Sequence, residues 1–372
     1  MAILSTKDRS LSILCVIVGV WGFYSSVPGF EDLSVSGRGS SKDHPILADL
    51  QTTLLWFFGF VFAHTGSLII LGPTARKLIP KRPYWTSEVW VAKIERFCSA
   101  IFQLLLSIGA TIYLYNNLRD SPWLPISMGG TGSTSNCWKD GFPSQAVPSA
   151  LKNFYLVFMG YSTAELVNHL IRERNRPDFY ELLLHLIVTN FLLFFSYFGN
   201  CIRIGSLVIL AHSFSDVFVY FAKALVDTKL TGGALSYIPL LVVYVWCRIY
   251  LHSAVIMRSI WLEAPQIVRD QSALANWNYF KFLLAVLLML HMYWMFVILK
   301  IGLFLLSTGK SRDLQASLSS LNVRQQVPHG VQYNPSGEMS AEMANAPSSM
   351  EDLNSMTTSS SEKKKLASVR RR

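Results

Sequence analysis

The stretch RNRPDFYELLLHLIVTNFLLFF, residues 174–195, decides how the rest of the chain is read. It opens on charge and proline, then runs into an apolar segment that still carries Asp178, Glu181 and His185. Ionisable side chains inside lipid are expensive, so those retained there point to function by default. Asp178 stands where the chain enters the apolar segment, and Glu181 is near enough to that entry to snorkel out. His185 is the first group too deep to escape.

The surroundings of this stretch read as a membrane. Of 372 residues, 51% are hydrophobic and 15% charged, too apolar for an ordinary soluble domain of this size. The fold class expected is therefore all-α, a polytopic membrane helix bundle. A spanning helix needs about 20 apolar residues. Eight stretches qualify, at roughly 10–28, 52–72, 97–116, 150–172, 179–200, 203–226, 235–256 and 279–306. The first follows Lys7 and Arg9 but is long and lacks a small-x-small cleavage site, so it reads as an anchor.

Orientation follows from the basic residues. With the N terminus in the cytosol, three basic segments are also cytosolic: the loop with Arg76, Lys77, Lys81 and Arg82, the loop at 172–176, and the tail with Lys363–Lys365 and Arg370–Arg372. Much of the net charge of +10 is accounted for in this way, and no nucleic-acid-binding motif accompanies it. Three regions result: 1–92 with two spans, 93–306 with the remainder, and a tail, 307–372, whose Ser, Asn and Met richness predicts a disordered cytosolic segment. The five cysteines show neither C-x-x-C nor zinc spacing. Cys137 and Cys201 both face the lumen in this topology, which leaves a disulfide between them open.

Depth along the helices groups the ionisable residues. If the spans on either side of FGNCIR, 198–203, form an antiparallel hairpin, residues equally far from the turn lie at equal depth. His185 is about fifteen residues before the turn and Asp216 about fifteen after it, so the two should face each other. Glu165 lies about six residues, roughly 9 Å, inside the cytosolic boundary, in the same layer. Asp178 pairs in depth with Lys223. Somewhat deeper come His212, one turn from Asp216, and His291, and Arg248 and His252, again four residues apart, complete the set. The single histidines do not make the clustered boxes of a di-iron hydroxylase, and a G-x-S-x-G elbow and a P-loop are absent. Neither a metal nor a cofactor is expected. An imidazole near a carboxylate suits acyl transfer, since neutral histidine attacks a thioester or deprotonates an amine while the carboxylate orients the ring.

The block RPDFYELLLHLIVTNFLLFFSYFGNCIRIGSLVILAHSFSDVFVYFAKAL, 176–225, resembles the Lag1 motif of ceramide synthases within the TLC fold. KIERFCSAIFQ (93–103), SPWL and CW (121–138) and LHMYWMFVILK (290–300) match in the same order, so the resemblance covers about 93–306, the expected TLC domain. It implies transfer of a fatty acyl group from acyl-CoA, a cosubstrate, to a sphingoid base at the endoplasmic reticulum membrane. Asp178 and Phe179 match the family's D-F, His185 the first of its paired histidines, and His212 and Asp216 the ends of H-D-x-x-D. The second histidine is Leu186 here, and the first aspartate of the later motif is Ser213.

By this resemblance His185, Asp216 and His212 are the expected catalytic residues. Asp178, Glu165, His291 and Trp294 are expected to bind substrate, and Arg172, Arg174 and Arg176 to hold the CoA phosphates. Membrane lipids are further partners, and a homodimer or a heterodimer with another TLC protein is open. The departures at 186 and 213 keep two alternatives in view: a silent partner subunit, and a lipid-binding or translocon-associated protein.

Overall fold

The computed structural model describes residues 49–81, 87–174, 178–225, 228, 233–268 and 277–308. The expected anchor at 10–28, Arg176, and the tail beyond 308 lie outside the described residues.

Seven long helical segments make up the described chain. They are α1 (Leu50–Leu78), α2 (Ser87–Leu118), α3 (Ser149–Arg172), α4 (Phe179–Phe198), α5 (Ile202–Leu225), α6 (Gly233–Tyr244) with its continuation, and α7 (Trp277–Thr308). α6 runs on into wide-turned π-helix over Val245–Met257 and Ser259–Glu263 before ending at Ala264–Ile267. Among the described residues six helices are long and apolar enough to cross a membrane: α1, α2, α4, α5, Ser236–Ile267 and α7. The first of the eight expected spans, 10–28, lies outside the described residues. The remaining one, α3, forms as a helix of spanning length but is less apolar, because it carries Lys152, Glu165, His169 and Arg172.

The protein, rather than lipid, satisfies the polar groups of α3. Lys152 Nζ lies 2.9 Å from Asp49 Oδ2, which also accepts from Tyr197 Oη at 2.7 Å. At the other end Arg172 Nη2 donates to Thr65 Oγ1 of α1 at 3.0 Å. α1 and α3 approach closely along this seam: a Cβ on Gly160 would stand 2.8 Å from Thr53 O and 2.9 Å from Phe57 N. α1 turns Leu54, Leu55, Phe62, Ile69 and Ile70 outward, as expected of a face against acyl chains.

Packing neighbours follow one another in a closed order, α1–α2–α5–α6–α7–α4–α3 and back to α1. This corrects the hairpin assumption. α4 and α5 are consecutive but barely touch, because α4 packs on α3 and α7 whereas α5 packs on α2 and α6. Counting depth from the shared turn therefore gives the neighbours wrongly.

Residues 119–148 close one end of the ring as a compact cap. The islands SPWL and CW belong here: Trp138 Nε1 donates to Ser259 Oγ at 2.8 Å and packs edge-on against Trp277 at 5.2 Å. Arg203, at the start of α5, reaches Asn136 O at 3.2 Å and Asp140 Oδ2 at 3.0 Å and lies 4.7 Å over the Trp123 ring. Gly132 permits the cap's tightest approach, since a Cβ there would be 2.0 Å from Pro122 O. Cys137 and Cys201 are both buried and free. Burial raises the Cys137 thiol well above its usual range and pushes that of Cys201 up to about 12.

Candidate active site

Polar side chains from four helices meet in the interior. α4 contributes His185, α5 contributes His212, Ser215 and Asp216, the π-helix contributes Arg248 and His252, and α7 contributes His291 and Trp294. π-Helical turns recur at functional sites, and here the π-helix carries the group that organises the others. Arg248 Nη2 donates to Asp216 Oδ1 at 2.5 Å, Nε to Ser215 Oγ at 2.6 Å and Nη1 to His291 Nε2 at 3.2 Å. A planar guanidinium offers several donors in fixed directions, which allows one residue to tie α5 to α7.

The imidazoles surround this hub. His212 Nε2 and His291 Nε2 are 3.3 Å apart, and the His252 ring lies 5.8 Å from His212 and 5.2 Å from His291 by centroid. His291 and His252 are both fully buried. His185 packs its ring 6.2 Å from His291 and edge-on to Trp294 at 5.1 Å. Its Nδ1 is buried and has no hydrogen-bond partner, which leaves the ring able to react.

Of the expected site residues, His185, His212, Asp216, His291 and Trp294 are brought together. The expected direct meeting of His185 with Asp216 does not occur. No hydrogen bond joins them among the described residues, and Arg248 holds the carboxylate instead. The reason is the ring order, which puts α6 and α7 between α5 and α4. Glu165 lies on α3, which α4 separates from α7 in the ring order.

Asp178 stands at the N-cap of α4, away from the cluster. The adjoining turn is fixed by His169, whose Nε2 donates to Phe179 O at 2.9 Å and whose ring stacks on Phe179 at 4.7 Å. Arg172 and Arg174 sit at the end opposite the cap, where Arg174 Nε donates to Leu170 O at 2.7 Å. They line the rim rather than the cluster. Leu186 is half-buried and Ser213 buried. The sequence singled out Arg248 and His252 as an i, i+4 pair but did not show Arg248 as the hub.

A buried set of imidazoles, one guanidinium and one carboxylate, reached from both α4 and α7, is equipped to move protons around a reacting carbonyl. Residues 96–300, more than half of the chain, match the family model described as TLC domain, and the chain belongs to that family. Within it, the curated relatives agree with the Lag1 resemblance read from the sequence. The chain is 27% identical over 276 residues to ceramide synthase hyl-2 of Caenorhabditis elegans, covering 70% of this chain and 79% of that one. It is 24% identical to ceramide synthase 5 of Homo sapiens, over 63% of this chain and 57% of the human protein. To ceramide synthase LOH2 of Arabidopsis thaliana it is 25% identical, over 56% and 68%. The chain thus spans between about half and four fifths of the length of these relatives.

Proposed function

We propose that the protein is a sphingoid base N-acyltransferase of the endoplasmic reticulum membrane, with cytosolic termini, that uses fatty acyl-CoA as acyl donor. The observation that carries this reading is His185, with its unpartnered buried Nδ1, beside an imidazole and guanidinium cluster, in a chain whose relatives are named ceramide synthases.

Acyl-CoA enters from the rim that carries Arg172 and Arg174, where cations suit its phosphates. A ring nitrogen of His185 attacks the thioester carbonyl, the C–S bond breaks, and CoA leaves as thiolate and takes up the N–H proton that the acyl-imidazolium gives up. The sphingoid amine then attacks the acyl-imidazole. The amide C–N bond forms, the acyl–imidazole bond breaks, and the amine proton passes to the imidazole cluster. Asp216 acts through Arg248, holding the guanidinium in place while the developing charge is shared among His212 and His291.

Purified protein incubated with a panel of acyl-CoAs and sphinganine should yield N-acyl product by mass spectrometry. His185→Ala should reduce it by at least about 10²-fold, the scale of losing a nucleophile and its proton transfers. Normal product from His185→Ala would overturn the role.

Leu186 and Ser213 favour a second reading, a silent subunit paired with an active TLC protein. It predicts product only when a second TLC chain co-purifies.

A further inference from the structure

Proton positions in the cluster follow from its partners. A carbonyl only accepts, so His212, which contacts Val208 O through Nδ1 at 2.8 Å, carries its hydrogen there and presents Nε2 as a lone pair. His252 contacts Leu284 O through Nε2 at 3.2 Å and likewise keeps Nδ1 as a lone pair, buried and without a partner. Arg248 only donates, so His291 Nε2 is an acceptor. With all three rings neutral, each carries one unprotonated nitrogen, and a ring nitrogen from each of His212, His252 and His291 lies within 4.8 Å of the other two. Acceptors gathered in this way are suited to share a cation.

Two cations fit the donors, a proton and a transition-metal ion. The 3.3 Å between His212 and His291 suits both an N–H···N bond and a tetrahedral pair of zinc ligands with Zn–N of about 2.0–2.1 Å. Arg248 decides between them. It is a permanent positive charge that already donates into the His291 lone pair a metal would need, and the single Asp216 carboxylate it pairs with leaves little negative charge for a dication. The trio is better suited to pass a proton along than to hold a metal ion.

We propose that His252 supplies, from the π-helix, the assisting imidazole that Leu186 cannot provide, as the proton acceptor at the back of the His212–His291 pair. This rests on the acyltransfer reading. When the amine nitrogen attacks the acyl group on His185, its proton moves to His291 or His212, and the new imidazolium donates to His252, a ring nitrogen of which lies within 4.8 Å, directly or through one bridging water. The electron pair of the broken acyl–nitrogen bond returns to His185, and the relayed proton then passes back to that ring and restores its neutral N–H form. His252 touches no reacting atom and is a positioning residue for this proton.

The test separates the two half-reactions in purified full-length protein. His252→Ala should leave the burst of CoA thiol from acyl-CoA within about twofold and slow N-acylation of sphinganine by about 10–10²-fold, the usual reach of one proton-transfer group. Added imidazole should restore part of the loss, and so should Leu186→His in the same chain. A parallel fall in both steps without rescue, unchanged rates, or a stoichiometric transition metal that His252→Ala removes would each overturn the proposal. Nitrogen-15 histidine NMR reads the cluster without turnover: the His212 and His291 ring resonances should move in His252→Ala, and unmoved resonances contradict the shared proton. Wild-type protein that passes this NMR test yet releases no thiol would sink the acyltransferase reading alone.

Discussion

Arg248 makes four contacts that hold the site, to Ser215, Asp216, His291 and the His212 carbonyl. Removing one partner of a buried ion pair leaves an uncompensated charge and costs about 3–5 kcal/mol. Arg248→Met should therefore lower the thermal midpoint of the detergent-solubilised protein and abolish acyl transfer. Arg248→Lys keeps the charge but not the planar fork, so it should recover much of the midpoint and little of the activity. Equal recovery of both would show that charge alone suffices. The two cap thiols make a second prediction at this scale. With Cys137 raised and Cys201 at about 12, almost no thiolate exists at pH 8, where alkylation needs it. Both should resist iodoacetamide in the native protein and react after denaturation; failure to react after denaturation without reductant would reveal a disulfide. His185 was legible in the sequence because depth alone isolates it. The hub role of Arg248 was not, because it depends on which helices are neighbours, and a span's own sequence does not state its neighbours.

Helix pairs meet where side chains permit backbones to approach. Gly160 lets α3 come within reach of the α1 backbone, the small-residue contact that membrane helices use in place of a hydrophobic driving force. The atoms a Cβ would meet include backbone at Thr53 and Phe57, which cannot swing aside. Gly160→Leu should force the helices apart and cost about 1–3 kcal/mol, measured as a lower thermal midpoint; an unchanged midpoint would mean that α1 docks loosely. Most helices were legible from runs of apolar residues, and the structure mainly lengthens them, as with 97–116 becoming Ser87–Leu118. The π-helix was not legible. Its wider turns leave composition unchanged, and nothing in VWCRIYLHSAVIM departs from an α-helical apolar pattern.

At the scale of the molecule, the closed packing order turns four separate ionisable spans into one site. α5 and α4 lie apart, and α6 and α7 complete the path between them. Helical rise is fixed, so the sequence could group His185, Asp216 and Glu165 by expected depth, but the route from His185 to Asp216 through His291 and Arg248 required the ring. The cap locks one end through Trp138, Arg203 and Trp277, and Gly132 has no space for a side chain beside Pro122. Gly132→Val should disorder the cap and lower the yield of folded protein, read by size-exclusion chromatography, while leaving the tautomers of the distant imidazoles intact in the fraction that folds.

The central claim is that His185 carries the acyl group. The most direct measurement is peptide mapping by mass spectrometry of purified protein exposed to acyl-CoA without a sphingoid base. The account predicts one acyl adduct on the α4 peptide containing His185, absent from His185→Ala and discharged when sphinganine is added. Amide product formed with no adduct at His185, or an adduct on another residue that sphinganine discharges, would contradict it.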